Sequence, residues 1–157
     1  MGQKGAQIEF RELIESFSKK IGETLHVDDG GACALAIDDM EVTIQLVDEA
    51  RSLVFFGRIG APPPQGLEAL LMAMLDANHL FKGTGGGTIS HDAETGDFYL
   101  CRAVPLDQLD LDAFVAQLEK FVNVLVLWQR LLADYRPQEG GADRPDDNLG
   151  LSGFMAV

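Results

Sequence analysis

The sequence predicts an α+β fold of order α-β-β-β-α-β-β-α, an antiparallel five-stranded sheet with three helices. Three observations carry this. Two segments, near the start and in the last third, place apolar residues at helical spacing. Between them lie five short strand-like runs separated by Asp- and Gly-rich turns. A third helical segment interrupts the runs after the first three, and it has almost no polar face.

The elements follow in order. Phe10, Leu13, Ile14, Phe17 and Ile21 recur at spacings of three and four, predicting a helix from Ile8 to Ile21 that Gly22 stops. Glu15 and Lys19 form an i, i+4 pair in the favourable order. After the turn cluster Asp28-Asp29-Gly30-Gly31, Ala32 to Ile37 reads as a short strand. Asp38-Asp39 turns the chain. Glu41 to Val47 alternates, with Val42, Ile44 and Leu46 on one face and Thr43 and Gln45 on the other. Leu53 to Ile59 is more continuously apolar, as in a strand covered on both faces. These three make an antiparallel meander.

Pro62-Pro63-Pro64 stiffens the next connection, because proline fixes φ and cannot donate to a ladder. Gly66 to Phe81 then reads GLEALLMAMLDANHLF, charged only at Glu68 and Asp76. Leu67, Leu70, Leu71, Met74, Leu75 and Asn78 fall on one side of this helix, yet Ala69, Met72 and Ala73 occupy the other. A helix apolar nearly all round needs a second cover besides its own core. The expected cover is another copy of the chain, so the sequence predicts a homodimer. Lys82 to Thr88 is a glycine-rich connector. Thr88 to Ser90 and Asp97 to Val104 form a hairpin that Pro105 ends. Asp110 is the candidate N-cap of a helix through Tyr135, striped by Phe114, Leu118, Phe121, Leu125, Trp128 and Leu132, which Pro137 terminates.

Composition narrows the function. Net charge is −13, from 25 acidic and 12 basic residues, which disfavours nucleic acid and anionic membranes as partners and favours a basic or apolar one. The opening MGQKGAQIEF lacks a signal-peptide core, and the longest apolar stretch, Val122 to Trp128, is too short to span a bilayer. A cytoplasmic protein without membrane insertion is expected. Cys33 and Cys101 read as small buried hydrophobes, with a disulfide left open by sequence alone.

No credible catalytic constellation emerges, and neither enzyme activity nor a cofactor is expected. Gly83-Thr84-Gly85-Gly86-Gly87 has a helix before it and a strand after it, the reverse of a phosphate loop. His26, His79 and His91 have no His or Cys at metal-ligand spacing, so no metal site is expected. His91-Asp92 is a base-and-orienter pair only in composition and sits at a predicted turn. The serines lack a nucleophile elbow.

Several local patterns, in this order, resemble the class I type III secretion chaperones, the Tir-chaperone-like family. They are F-x-x-L-I-x-x-F (Phe10, Leu13, Ile14, Phe17), G-x-C-x-L-x-x-D (Gly31, Cys33, Leu35, Asp38) and L-L-x-x-M-L-x-A-N (Leu70, Leu71, Met74, Leu75, Ala77, Asn78). L-x-x-A-V-P-L from Leu100 to Leu106 and a last helix with F-x-x-x-L-x-x-F and Trp128 complete the set, over roughly residues 8–135. The resemblance implies a small acidic homodimer that binds the extended N-terminal region of a secreted effector and keeps it soluble and secretion-competent without ATP. It also implies a dimer contact along the Leu67 to Asn78 helix, and effector grooves lined by Phe10, Leu13 and Phe17 with Val54 and Phe56. The chaperone-like domain is then residues 1–136, and 137–157 a mobile acidic, glycine-rich tail. The alternative is another bacterial peptide- or protein-binding regulatory module of similar α+β fold.

Overall fold

The turn clusters of the sequence fall where strands end in the computed structural model, which describes residues 2–137. The strands are β1 (Ala32–Ile37), β2 (Met40–Val47), β3 (Ser52–Gly60), β4 (Thr88–His91) and β5 (Phe98–Pro105). They form one sheet in the order β1-β2-β3-β5-β4, and β1 to β3 pair antiparallel as a meander. The helices are α1 (Gly2–Ile21), α2 (Leu67–Asn78) and α3 (Leu111–Asp134). The expected element order and fold class are both present. The tail expected beyond Pro137 lies outside the described residues.

The described chain divides into two compact units, residues 2–57 with 101–122 and residues 58–100 with 123–137. In the first, α1 buries Phe10, Leu13, Ile14 and Phe17. Phe17 meets Phe114 of α3 edge-on at 5.2 Å, and Phe55 of β3 lies 5.9 Å from both Phe114 and Phe121. Alternation along β2 delivers Val42, Ile44 and Leu46 to this core, as its sequence pattern predicts. The helix begins at Gly2 rather than Ile8. Ala6 is fully buried and the Gln7 amide donates to Asp48 at 2.8 Å, so tertiary contacts carry the helix through weak formers. Gly22, with φ of 75°, ends it by donating to the Ser18 carbonyl. Asp110 caps α3 as expected: its side chain accepts from the Ala113 amide at 2.8 Å.

Arg51 ties the β2–β3 turn to its surroundings. Its guanidinium bonds Asp107 at 2.6 Å and Glu9 at 2.9 Å, and its carbonyl accepts from the Leu106 amide at 2.8 Å. Cys33 and Cys101 are not joined in a disulfide. Two strands separate β1 from β5, about 14 Å in all, far beyond disulfide reach. Burial, then the negative charge of Asp28, pushes the Cys33 thiol above its ordinary pKa.

In the second unit, Leu70, Ala73, Met74 and Ala77 of α2 pack inward with Ile89, Phe98, Leu100, Leu125 and Trp128. The start of α2 is fixed by Gly66, whose φ of 72° is left-handed and whose carbonyl accepts from the Tyr135 hydroxyl at 2.7 Å. A Cβ there would lie 2.6 Å from Pro137 Cβ and 2.8 Å from Tyr135 Oη. Gly66→Ala is therefore expected to cost at least about 2 kcal/mol in urea unfolding, from left-handed strain plus overpacking. A loss under about 0.5 kcal/mol would refute this account of the α2 entry.

Candidate functional site

The glycine loop is a connector, as its position in the sequence implies, but it is fastened in place. Thr84 is buried and its hydroxyl donates to the Gly87 carbonyl at 2.7 Å. The Trp128 indole donates to the Gly83 carbonyl at 2.8 Å. At His91-Asp92, the Asp92 carboxylate accepts from the Glu94 amide (3.0 Å) and the Thr95 hydroxyl (2.9 Å). Those bonds, the Glu94 amide first, hold its pKa below the carboxylate range. Asp92 thus builds a turn rather than orienting His91, whose ring stands edge-on to Phe98. Among the described residues, no group of three His, Cys, Asp or Glu could hold a metal ion, and no helix is long and apolar enough to cross a membrane.

In the first unit, burial sorts the apolar side chains by the face they stand on. The residues expected to line a groove separate into two sets. Phe10, Leu13 and Phe17 belong to the core and are at most 8 % exposed. The reason is geometric: α1 has one apolar stripe, and the unit's own core takes it. Val54 and Phe56 behave differently. They alternate with buried Leu53 and Phe55, so they stand half-buried on the opposite face of β3. The register places Phe56 beside Thr43 and Thr43 beside Ala34, and Val54 beside Gln45 and Gln45 beside Ala32. Ala34 and Ala36 are exposed along β1, which among the described residues pairs with β2 alone. This face is low and partly apolar, and it ends at an edge strand.

A cleft of about 520 Å³ lies beside α1, which the sequence reading missed. Its floor includes Ile14 and its walls are Arg11, Glu15, Ser18 and Lys19 on the helix and residues 22–27 opposite. Arg11 donates to the carbonyls of Val27 and Asp28 at 3.0 and 3.1 Å, and the Ser18 hydroxyl accepts from the Leu25 amide at 3.1 Å. Leu25 and Val27 remain half-exposed. A side chain that donates or accepts across a loop leaves no periodic signature, so only the pair Leu25 and Val27, alternating in a non-helical run, hinted at it. The helix does line a groove, but with its polar flank.

In the second unit, the residues expected at a dimer contact also divide. Leu70 and Met74 are buried. Asn78 is occupied: its amide donates to the Ile89 carbonyl at 3.1 Å and accepts from the Ile89 amide at 2.8 Å, satisfying the backbone of edge strand β4. Leu67, Leu71 and Leu75 are exposed, with Met72 beside them. At about 100° per residue the inner and outer sets sit roughly a quarter-turn or more apart on the helix. Sequence grouping merged them because both are apolar.

The fold is that of secretion chaperones in solved structures. Similar chains come from the HopA1–SchA chaperone–effector complex (20 % identity, covering 82 % of this chain and 96 % of that one, TM-score 0.65) and the ExsC–ExsE complex (24 %, 84 % and 96 %, TM-score 0.67). Another comes from the Yersinia pestis type III secretion chaperone SycH with a fragment of YscM2 (22 %, 74 % and 97 %, TM-score 0.60). At these identities the likeness establishes the fold. A comparison with curated proteins found no match. The family model for the Tir chaperone protein (CesT) family matches residues 12–129, most of the chain. The protein belongs to that family and is a class I type III secretion chaperone; the family is one of chaperones, not enzymes.

Proposed function

We propose that this chaperone binds the extended N-terminal region of a secreted effector on the open face of the first unit and keeps it soluble for export. It does so without ATP or other cofactor, in the cytoplasm and as a homodimer. The observation that carries the reading is the half-buried pair Val54 and Phe56, aligned across β2 with Ala32 and Ala34 of edge strand β1. Apolar side chains on a shallow face beside an open edge suit a partner that adds backbone bonds at the edge and anchors side chains on the face. Structures similar to this one include chaperone–effector complexes, which supports the same role here. The Gly83 to Gly87 loop, with its threonine hydroxyl bonded internally, is a support for α2 rather than a nucleotide site.

Phe10, Leu13 and Phe17 then act from beneath, by holding α1 on the core. Homodimer formation draws on Leu67, Leu71 and Leu75, while Leu70, Met74 and Asn78 hold the helix that presents them. The test is co-expression with secreted proteins encoded nearby. The chaperone is expected to retain one of them through its N-terminal segment, in ATP-free buffer. Retention that requires ATP, or that persists after the N-terminal segment is deleted, would refute the reading.

A further inference from the structure

Arg102 stands where the pattern of β5 calls for an apolar residue. The Leu106 amide donates to the Arg51 carbonyl at 2.8 Å, which sets residue 106 opposite residue 51 at the ends of neighbouring strands β5 and β3. Counting inward along this antiparallel pair places Val104 opposite Leu53 and Arg102 opposite Phe55. Leu53, Phe55 and Val104 are buried, and so is Leu100, two residues before Arg102 on the same face. A cation therefore occupies a position of β5 that turns toward the core.

That cation is unpaired. Among the described residues the Arg102 guanidinium makes no hydrogen bond or ion pair, and its Nη1 is buried without an acceptor. The other arginines of this unit are engaged: Arg11 bonds two carbonyls, and Arg51 bonds Asp107 and Glu9. Arg102 is half-buried overall, so the group lies just beneath the surface. Burial pushes its pKa below the ordinary arginine value. Gln117 of α3 carries a second buried atom without a partner, Oε1. It lies one helical turn from Phe114 and from Phe121, the two rings that meet Phe55. Arg102 and Gln117 thus border one aromatic cluster, from the sheet and from α3. A half-turn of the Gln117 amide presents its two donors in place of the oxygen. The third such atom, Asp48 Oδ1, belongs to a carboxylate that Gln7 already bonds.

We propose that Arg102, with Gln117 beside it, receives a carboxylate: the side chain of an Asp or Glu in the bound effector segment. A guanidinium takes a carboxylate through two parallel bonds. The charge balance selects that partner. At a net charge of −13 the chain repels an acidic side chain over most of its surface, so one point that accepts it fixes the register of the segment. An extended segment advances about 3.3 Å per residue, so about a dozen residues reach from the open face of the sheet to this side. The proposal rests on the effector reading above and adds an acidic residue to what the partner carries.

Isothermal titration of the full chain with the N-terminal segment of the secreted protein it retains on co-expression tests it. Arg102→Met removes the charge and keeps an apolar stem. It should weaken binding at least tenfold while the melting temperature holds or rises, because an unpaired charge has left the core. Arg102→Lys, which keeps the charge without the fork, should weaken binding severalfold, and it provides the readout if Arg102→Met fails to fold by circular dichroism. Changing each Asp and Glu of the segment in turn to Asn or Gln should find one position that matches the loss. Combined with Arg102→Met, that change should weaken binding no further. Binding within twofold of the wild type for both Arg102 variants overturns the proposal and leaves the effector reading standing. A loss that no acidic position of the segment reproduces overturns it as well, and makes Arg102 a support of the core. A wild type that retains no secreted protein overturns both.

Discussion

Trp128→Ala is expected to cost about 3–5 kcal/mol, the range for removing a large aromatic from a packed core. Trp128 is only 1 % exposed, and its indole N–H is the bond that the Gly83 carbonyl receives. The substitution leaves a cavity and an unpaired carbonyl together. For a chain of this size, the loss corresponds to a fall in melting temperature of roughly 10–15 °C. Circular dichroism melts and urea titrations measure it. The second unit is expected to lose most, because the same bond fixes the loop between α2 and β4. A loss below about 1 kcal/mol would show that the loop holds without the indole.

Val54→Asp and Phe56→Asp should leave a folded chaperone that no longer retains its effector. Each is half-buried on the face away from the core, so a carboxylate there keeps access to water. The expected change is a fall of at least tenfold in effector affinity, as when a central apolar anchor of an interface is lost. The melting temperature should move by only a few degrees. Phe10→Asp provides the contrast. Phe10 is fully buried, and an unpaired charge in its place should unfold the chain rather than act on binding alone. Isothermal titration with the effector's N-terminal segment, beside thermal melts of each variant, separates the two effects. Unchanged affinity for both sheet variants would move the binding face elsewhere, the cleft beside α1 being the next place to mutate. The net charge of −13 should act mainly on association rate and its salt dependence.

Elements whose signal is local were legible in the sequence. The Asp110 cap needs one side chain and an amide three residues on, and both are contiguous in the chain. The alternation of Val42, Ile44 and Leu46 reports a strand with one buried face, because the side-chain period of a strand is two. Gly22 ends α1 because a left-handed residue suits glycine. The expectation of chaperone character came from the same level, since the family patterns are short motifs in a fixed order.

Tertiary structure decided which apolar residues face outward. Hydrophobicity states that a residue prefers cover, not which surface supplies it. Phe10 and Phe56 are the same residue type, yet one lies in the core and the other half-open, because α1 offers a single stripe while β3 offers two faces. Leu70 and Leu71 are adjacent leucines with opposite fates, set by the rotation of α2 against its unit. Leu80 and Phe81 take left-handed backbones against local preference, just ahead of a loop whose Gly83 carbonyl is bonded by a tryptophan far along the chain. By itself the sequence determined the elements, their order and the family; the fold alone determined which apolar side chains remain free for a partner, because exposure follows from long-range packing rather than from residue type.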